Sequence, residues 1–381
     1  MAIKKIMTVV GTRPEAIKMA PLYQALLSSP EHFDVIACIT AQHRQMLDQV
    51  LAVFNITPDI DLDLMREGQD LIGVTAAVLS AMRAVLNDER PDIVLVHGDT
   101  ATTLAVSMAC FYMGIRVGHV EAGLRTYNIQ SPFPEEFNRQ IVSKIACVHF
   151  VPTQLSKENL LSENVDPASI AVTGNTVIDA LNWILKRIDG DASRKAHVAE
   201  QLTSVLPFDW ASTKYILITG HRRENFGDGF VAICKAISDL ATKYPEVHFV
   251  YPVHLNPNVQ NPVNATLSRF KNVHLIAPLE YESFTYLLKH SHTVLTDSGG
   301  IQEEAPSLGK PVLVMRDITE RPEAVTAGTV RLVGADRNRI VSNVSELLDD
   351  ETSYRAMARA HNPYGDGHAC ERIIEILRNM P

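Results

Sequence analysis

The chain has 381 residues, 46% of them hydrophobic and 21% charged, with a formal net charge of −9 and a pI near 5.9. This length exceeds what one hydrophobic core usually serves, and the acidic balance argues against a nucleic-acid-binding face. The five cysteines lie apart without CxxC spacing, which predicts reduced core thiols in the cytoplasm rather than a zinc or redox site.

Short β-branched apolar runs alternate with longer amphipathic stretches, a pattern typical of parallel strands joined by helices. The first series of strands is predicted at Ile6–Val10, Asp34–Thr40, Ile93–His97, Arg116–Val120 and Val148–Val151, and Val172 to Gly174 ends it. The second series is predicted at Tyr215–Thr219, Val247–Tyr251, Val273–Ile276, Thr293–Thr296, Val312–Met315 and Val330–Val333. Two α/β domains are therefore expected. No apolar run reaches the roughly 20 residues of a membrane span, so no membrane partner is expected.

The domain boundary is placed near Asn175, which gives an N-terminal domain over residues 1–175 and a C-terminal domain over residues 176–363. The stretch from Asp189 to Thr203 is polar and helix-prone and contains no strand pattern. The tail from Asp366 to Met380 follows a turn-forming sequence and is predicted to form one more amphipathic helix.

Ligands of parallel sheets bind beyond the carboxyl ends of the strands, so the residues that follow each strand are the candidates for a site. Gly11 to Glu15 follow the first strand, with a glycine suited to a tight turn and Pro14 suited to the first turn of a helix. A phosphate would be stabilised at that helix start by the dipole and by Arg13 and Lys18. An ordinary capped helix with a surface arginine is an equal alternative.

Carboxylates follow two neighbouring strands of the first series, where acid and base groups would meet. Asp99 follows the third strand and Glu121 the fourth. The alternative for Asp99 is a helix cap. Glu135 and Glu136 begin another helix, where the alternative is that they complement its dipole or pair with Arg139.

In the second series, a cationic cluster and a glycine-rich turn suit a diphosphate. The cluster is His221–Arg223, for which a solvated charged loop is the alternative. The turn is Ser298–Gly300, whose backbone amides can hold phosphate oxygens. Glu304 lies one turn into the next helix, where it can accept from two ribose hydroxyls or merely complement the helix dipole, and Arg321 adds a cation.

Several cofactor motifs are absent from the sequence. It has neither GxGxxG after a strand nor GxxxxGK[ST], so a nicotinamide cofactor is not indicated. Its histidines form no HExxH or other compact ligand set, so no metal is expected. The expected chemistry is therefore free of cofactors.

Six motifs, in order and at similar spacings over essentially the whole chain, resemble those of the bacterial non-hydrolysing UDP-N-acetylglucosamine 2-epimerases. They are Gly11–Glu15, His97–Thr100, His119–Arg125, Gly220–Glu224, Asp297–Glu304 and Glu320–Ala324. The resemblance implies a glycosyltransferase-B-like architecture of two Rossmann-like parallel-sheet domains facing across a cleft. The first domain would hold the sugar and the catalytic carboxylates, the second would bind UDP, and a C-terminal helix over 364–381 would pack back on the first.

The resemblance also implies roles for single residues. The catalytic residues would be Asp99, Glu121, Glu135 and His221. The substrate-binding residues would be Arg13, Lys18, Phe284, Ser298, Gly299, Gly300, Glu304 and Arg321. A second UDP-N-acetylglucosamine, acting as an allosteric activator, would contact Gln42, Gln45, Glu136, Arg222 and His254. Two positions depart from the family pattern: Leu279 replaces a glutamine, and Gly68 replaces an arginine of some regulated members.

The implied reaction is reversible epimerisation at carbon 2 of UDP-N-acetylglucosamine in a cytoplasmic homodimer, for surface polysaccharide synthesis. Because carbon 2 lies next to an acetal and not a carbonyl, simple deprotonation would be too slow. The family instead eliminates UDP to 2-acetamidoglucal and adds it back. The alternatives are a glycosyltransferase, a hydrolysing epimerase and a non-catalytic sensor. The GTRPE and HVEAGLR segments argue against a glycosyltransferase. The lack of a sugar-kinase domain argues against the hydrolysing epimerase, and the carboxylates argue against a non-catalytic sensor.

Overall fold

A computed structural model of the chain describes residues 3–40, 44–64 and 68–380, with the side chains of 44–46 left out. The chain divides into two compact units. Unit 1 comprises Met1–Ala180 together with Tyr364–Pro381, and unit 2 comprises Leu181–Pro363. Each unit is a parallel sheet with its own helices, as the alternating pattern predicted.

The sheet of unit 1 has seven strands in the order β3-β2-β1-β4-β5-β6-β7, all parallel. Its strands are β1 (Lys4–Val10), β2 (Phe33–Ile39), β3 (Ile60–Asp61), β4 (Ile93–His97), β5 (Arg116–Val120), β6 (Val148–Val151) and β7 (Ile170–Val172). Its helices are α1 (Arg13–Leu27), α2 (Arg44–Val53), α3 (Leu71–Glu89), α4 (Ala101–Tyr112), α5 (Glu135–Ile145), α6 (Gln154–Ser162) and the start of α7 (Thr176–Gly190). The central strand β4 is buried along its whole length, as a continuous apolar run predicts.

The sheet of unit 2 has six parallel strands in the order β10-β9-β8-β11-β12-β13. They are β8 (Tyr215–Thr219), β9 (His248–Pro252), β10 (Val273–Ile276), β11 (Thr293–Thr296), β12 (Val312–Val314) and β13 (Val330–Leu332). The helices are α8 (Ala192–Val205), α9 (Asp228–Lys243), α10 (Pro257–Leu267), α11 (Tyr281–His290), α12 (Ile301–Ser307), α13 (Pro322–Thr326), α14 (Arg337–Asp349) and α15 (Glu351–Ala358). The last helix, α16 (Ala369–Asn379), returns to unit 1 and packs on α1.

Both sheets reverse their strand order at one point, between β1 and β4 in unit 1 and between β8 and β11 in unit 2. In doubly wound sheets this is the place where ligands bind, beyond the carboxyl ends of the strands. The topology therefore sets the loop after β1 beside the loop after β4, and the loop after β8 beside the loop after β11.

Six strands have the bounds that the sequence predicted, and five others differ by one or two residues at their ends. The first series ends with β7, which stops at Val172 at the start of the predicted Val172 to Gly174, and the chain then turns at Gly174, whose φ is +90°. The two-residue strand β3 was missed because so short a run carries no periodicity. All five cysteines are free, but Cys147 is exposed, so the prediction of a core thiol is wrong at that position.

Among the described helices, α3 alone is long and apolar enough by length and composition to cross a membrane. Helices of ordinary cores pass the same test, and α3 buries Val78, Met82, Val85 and Leu86 in the core of unit 1. Its apolar composition is therefore explained in part by packing against α4 and by its place in the core cluster shared with the sheet.

Candidate active site

The turn after β1 depends on a glycine and a capping box. A Cβ atom on Gly11 would lie 2.2 Å from the hydroxyl oxygen of Thr102, so only glycine lets the turn approach its neighbour so closely. Thr12 caps α1 reciprocally with Glu15. Arg13 thereby becomes the first residue of α1, at the start of the helix where the backbone favours an anion.

The buried carboxylate of Glu15 joins this turn to the loop after β4. Its hydrogen-bond donors are the amides of Gly11 (3.0 Å) and Thr12 (2.8 Å) and the hydroxyls of Thr12 (2.8 Å), Thr100 (2.7 Å) and Thr103 (3.1 Å). Burial raises the pKa of Glu15, and the hydrogen bonds from Thr100, Thr12 and Gly11 oppose that rise. Thr100 directly follows Asp99. The carboxylate of Glu15 therefore joins the turn after β1, which carries Arg13, to the loop after β4, which carries Asp99.

Asp99 pairs with a buried arginine. Its carboxylate lies 2.7 Å from Nη2 of Arg139, and its carbonyl oxygen accepts a 2.7 Å hydrogen bond from the Asn138 side chain. Removal from water raises the pKa of Asp99, Arg139 opposes the rise, and the carboxylates of Glu121 and Glu135 add to it. Asp99 therefore has the kind of perturbed environment that is common among groups that transfer protons in active sites.

Glu121 stands at the end of the neighbouring strand β5 in a strained backbone conformation, with φ of +60°. Such a value is uncommon for a residue with a side chain and is often found at functional sites. Its carboxylate receives Nζ of Lys18 and the side-chain amide of Asn175, the latter at 2.7 Å, and Nε2 of His97 lies 3.7 Å away. The structure thus brings the predicted Lys18 and Glu121 together.

Three buried histidines on adjacent strands lie behind these carboxylates. Burial lowers the pKa of His97 to about 4, of His119 to about 3 and of His149 to about 4, so all three are neutral at neutral pH. Nε2 of His119 donates to the carbonyl oxygen of Gly98 at 2.7 Å. His119 therefore supports the backbone next to Asp99.

Glu135 and Glu136 form the first turn of α5 and have different surroundings. Glu135 is partly exposed and close enough to Asp99 to affect its pKa. Glu136 is fully buried, and its two oxygens accept from the backbone amides of Thr126 (2.9 Å) and Tyr127 (3.0 Å). Glu136 thus organises the loop after β5, and its contact with an activator stays a prediction.

In unit 2, the loop after β8 is fastened to the end of β11. Oδ2 of Asp297 accepts from the backbone amides of His221 (2.9 Å) and Arg222 (2.8 Å), and Oδ1 lies 3.6 Å from Nδ1 of His221. The His221 ring stacks on His254 with 5.4 Å between centroids. Burial lowers the pKa of His221, and the nearby Asp297 opposes that effect.

Arg321 is clamped above the glycine turn. Its Nε lies 2.7 Å from Glu303, and its Nη1 lies 3.0 Å from Glu320. A Cβ atom on Gly299 would come within 2.9 Å of Nη1 of Arg321, so the absence of a side chain there lets the guanidinium lie over the turn. This arrangement places a fixed cation against backbone amides, which suits a phosphate.

The remaining predicted residues are placed as follows. The amide of Ser298 donates to the hydroxyl of Thr296 at 2.9 Å, and the binding of a phosphate by the turn stays a prediction. Glu304 is buried in α12, and Phe284 is half-buried on α11. Gln42 lies outside the described residues, as does the side chain of Gln45.

Four residues of the site escaped the sequence reasoning: Arg139, Asn175, Glu303 and Glu320. Arg139 was considered only as a partner of its helical neighbours, and Asn175 only as a domain boundary. Glu303 and Glu320 stand inside or beside the quoted motifs, so adjacency to Glu304 and Arg321 could have pointed to them. Within residues 3–40, 44–64 and 68–380, no group of three or more histidine, cysteine and acidic residues could hold a metal ion.

A family model described as UDP-N-acetylglucosamine 2-epimerase matches residues 25–378. Over 375 residues, the chain is 58% identical to the UDP-N-acetylglucosamine 2-epimerase of Escherichia coli K12, covering 98% of each chain. A crystal structure of UDP-GlcNAc 2-epimerase from Neisseria meningitidis bound to UDP-GlcNAc is 52% identical with a TM-score of 0.90, covering 98% of this chain and 99% of that one. The Methanocaldococcus jannaschii enzyme in complex with UDP-GlcNAc and UDP is 32% identical with a TM-score of 0.82, at the same coverage. The predicted glycosyltransferase-B-like fold is confirmed.

Proposed function

The chain belongs to the bacterial non-hydrolysing UDP-N-acetylglucosamine 2-epimerase family and is an isomerase, and on that premise we propose that it works by eliminating UDP and adding it back. The substrate would be UDP-N-acetylglucosamine and the product UDP-N-acetylmannosamine, a precursor for surface polysaccharide. Neither a nicotinamide cofactor nor a metal takes part in the proposed reaction.

Residues 1–175 would supply the groups that move the carbon 2 proton. Inversion requires one group that removes the proton on one face and another that returns a proton on the opposite face. Asp99 and Glu121 end the adjacent strands β4 and β5, and Glu135 lies close enough to Asp99 to affect its ionisation. These three carboxylates are proposed to share the two tasks.

Residues 176–363 would bind UDP. Arg321 and the turn Ser298–Gly300 would hold the diphosphate, Glu304 would accept from the ribose hydroxyls, and Phe284 would lie near the uracil. This assignment is supported by the clamp that fixes Arg321 over Gly299. His221, anchored by Asp297, would act beside the phosphates together with Arg13 and Lys18 of the first part of the chain.

The proposed steps balance in atoms and charge. A carboxylate takes the proton from carbon 2 while the bond from carbon 1 to the phosphate oxygen breaks and UDP leaves with the electron pair. The product of this half-reaction is 2-acetamidoglucal. Carbon 2 then receives a proton on the other face, and the UDP oxygen re-forms its bond to carbon 1. The cations Arg13, Lys18 and Arg321 would stabilise the charge that develops on the diphosphate.

A second UDP-N-acetylglucosamine is proposed as an allosteric activator at Gln42, Gln45, Glu136, Arg222 and His254. The proposal is supported by the stacking of His254 on His221, which would put an activator contact next to a catalytic one. Arg222 is the chain neighbour of His221, and both amides are held by Asp297.

We also propose a cytoplasmic homodimer. Support comes from apolar side chains at the surface of unit 1, where Ile72 on α3 is 78% exposed and Phe111 and Tyr112 at the end of α4 are 63% and 69% exposed. Ile72 begins α3, whereas Phe111 and Tyr112 end the neighbouring helix α4, so the exposed pair at the end of α4 is the stronger support. Clustered exposed apolar side chains mark protein–protein contacts.

The observation that carries the proposed mechanism is that Asp99 and Glu121 end adjacent strands, each beside a cation. The test is to incubate the protein with UDP-N-acetylglucosamine in heavy water and follow the sugar protons by NMR. UDP-N-acetylmannosamine with deuterium at carbon 2 is the expected result. Release of free UDP and free sugar would indicate hydrolysis, and epimerisation with full retention of the carbon 2 proton would contradict proton exchange through two carboxylates.

A further inference from the structure

Asn175 contacts both the carboxylate of Glu121 and the segment that returns from unit 2. Its side-chain nitrogen donates to Oε2 of Glu121 at 2.7 Å, and its side-chain oxygen accepts from the amide of Val177 at 3.0 Å. Its backbone amide donates to the carbonyl oxygen of Tyr364 at 2.7 Å. The residue is only 2% exposed, so these contacts are shielded from water and geometrically restrictive.

The contact lies where the two chain crossings meet. The chain leaves unit 1 after Ala180 and re-enters it at Tyr364. Next to Asn175, a Cβ atom on Gly365 would lie 3.2 Å from Cα of Gly174, so the two backbones touch through glycines.

Glu121 depends on such a neighbour for its orientation. Its backbone is in the left-handed region, and its side chain is 8% exposed. Nζ of Lys18 and the side-chain amide of Asn175 both reach Oε2 of Glu121, and two donors from different directions restrict that oxygen more than one does. Loss of the amide donor would therefore leave the Glu121 carboxylate less restricted in its orientation.

We propose that Asn175 is a positioning residue that holds Glu121 in its reactive orientation and ties that orientation to the two chain crossings. This inference rests on the proposed role of Glu121 in proton transfer. It adds to that role a residue that would act on the reaction by orienting the carboxylate of Glu121.

The test uses Asn175→Asp, which keeps the oxygen that accepts from Val177 and the backbone bond to Tyr364 but replaces the amide donor by a carboxyl. We expect kcat to fall at least about 10-fold with KM changed less than about 3-fold, since an orienting contact to a reacting group acts on the chemical step. The limb of the pH profile that Glu121 governs should move to higher pH, because two adjacent carboxyls retain a proton.

Two further variants keep the test decisive. Asn175→Ala removes the donor without adding charge and should lower kcat without that upward shift. Asp179→Asn is the matched control, because Asp179 accepts from the amides of Ala369 (3.2 Å) and Cys370 (2.9 Å) beside the same crossing and is not placed at Glu121. It should lower the melting temperature and leave kcat unchanged.

Glu121→Gln, measured in the same assay, separates the two proposals. If it retains near-normal turnover, the proposed role of Glu121 is wrong, and the inference about Asn175 falls with it. If Glu121→Gln is inactive while both Asn175 variants keep the wild-type kcat and pH profile, only the positioning role is overturned. If Asp179→Asn loses as much kcat as the Asn175 variants, the effect of Asn175 comes from the stability of the chain crossing. That result would also overturn the positioning role.

Discussion

The guanidinium of Arg139, in the middle of α5, reaches 2.7 Å from the carboxylate of Asp99 at the end of β4. Arg139 is almost completely buried, and its Nη1 also lies 3.6 Å from Glu136. A buried arginine between two carboxylates fixes the direction of Asp99 and lowers the free energy of its ionised form. Two predictions depend on this pair.

Asp99→Asn should abolish turnover while leaving the fold intact. The amide keeps the size of the side chain but cannot exchange a proton with carbon 2, so kcat should fall by at least about 100-fold. Circular dichroism and UDP binding by calorimetry should match the wild type. Near-normal activity in the folded variant would remove Asp99 from the catalytic set.

Arg139→Gln should move the pH dependence of the reaction. The pKa of Asp99 is already raised, chiefly by removal from water, and Arg139 counteracts that effect. Its loss should raise the pKa of Asp99 further, so an acidic limb of kcat/KM that reports ionisation of Asp99 should move to higher pH. Arg337→Gln is a control, since it breaks only an exposed pair with Asp239. An unshifted profile would contradict the coupling.

Gly299→Ala should weaken UDP binding. The added methyl group would meet Nη1 of Arg321 at 2.9 Å and Cζ at 3.0 Å, so the guanidinium must shift from its position between Glu303 and Glu320. We expect the Kd for UDP to rise at least about 10-fold, the loss of one charge-assisted contact. Gly229→Ala is the matched control, because its methyl group would meet Ala335 at an ordinary 3.4 Å. Equal affinities in both variants would contradict the clamp.

Glu320→Gln should lower the free energy of unfolding at neutral pH. This difference from the wild type should disappear in acid. Burial opposes ionisation of Glu320, but Arg321 and Arg316 outweigh it and lower the pKa from 4.5 to about 2. A carboxyl with a depressed folded-state pKa stabilises the fold above its unfolded pKa, and this stabilisation is lost as the pH falls toward about 2. The shift corresponds to about 3 kcal/mol.

Urea unfolding of wild type and Glu320→Gln at pH 7 and pH 2.5 measures this difference. The gap between the two unfolding free energies should be large at pH 7 and should narrow in acid. The same substitution at Glu346, whose pair with Arg331 is more exposed, should have a smaller effect. A gap that is independent of pH would indicate a steric cause.

Phe111→Glu should favour the monomer. A charge in an apolar contact between protomers is desolvated without a partner, and this disfavours association. Light scattering over a range of protein concentrations would report the mass. Val205→Glu, which also replaces an exposed apolar side chain, but in unit 2, should leave the mass unchanged. A dimer that persists in Phe111→Glu would contradict the proposed face.

The sequence predicted the strands and the residues at their ends because both follow from local patterns. Buried parallel strands are uninterrupted apolar runs, and the site lies where such runs stop. Glu15 was partly readable as well, since Thr12 and Glu15 have capping-box spacing, but its hydrogen bonds to Thr100 and Thr103 depend on the strand order.

The partners of the site residues could not be predicted in the same way. Arg139 is three residues from Glu136, and helical spacing therefore suggested a local pair, whereas its shorter contact is with Asp99, 40 positions away. The side-chain amide of Asn175 reaches Glu121 because the parallel strands β5 and β7 end at the same edge of one sheet, and the two residues follow those ends. Such contacts are set by tertiary structure and produce no periodic pattern in the amino-acid sequence.

Unit 1 is built from both ends of the chain, and this has a consequence for its synthesis on the ribosome. Domains generally fold as they emerge, the N-terminal one first, yet Tyr364, the carbonyl partner of Asn175, is translated only after all of unit 2. The surroundings of Glu121 that include Asn175 and Tyr364 can therefore be completed only after unit 2 has been translated. Nascent or prematurely terminated chains could contain the UDP-binding residues proposed in unit 2 and still lack the hydrogen bond between Asn175 and Tyr364. The position of Asn175, and through it that of Glu121, is proposed to depend on that bond.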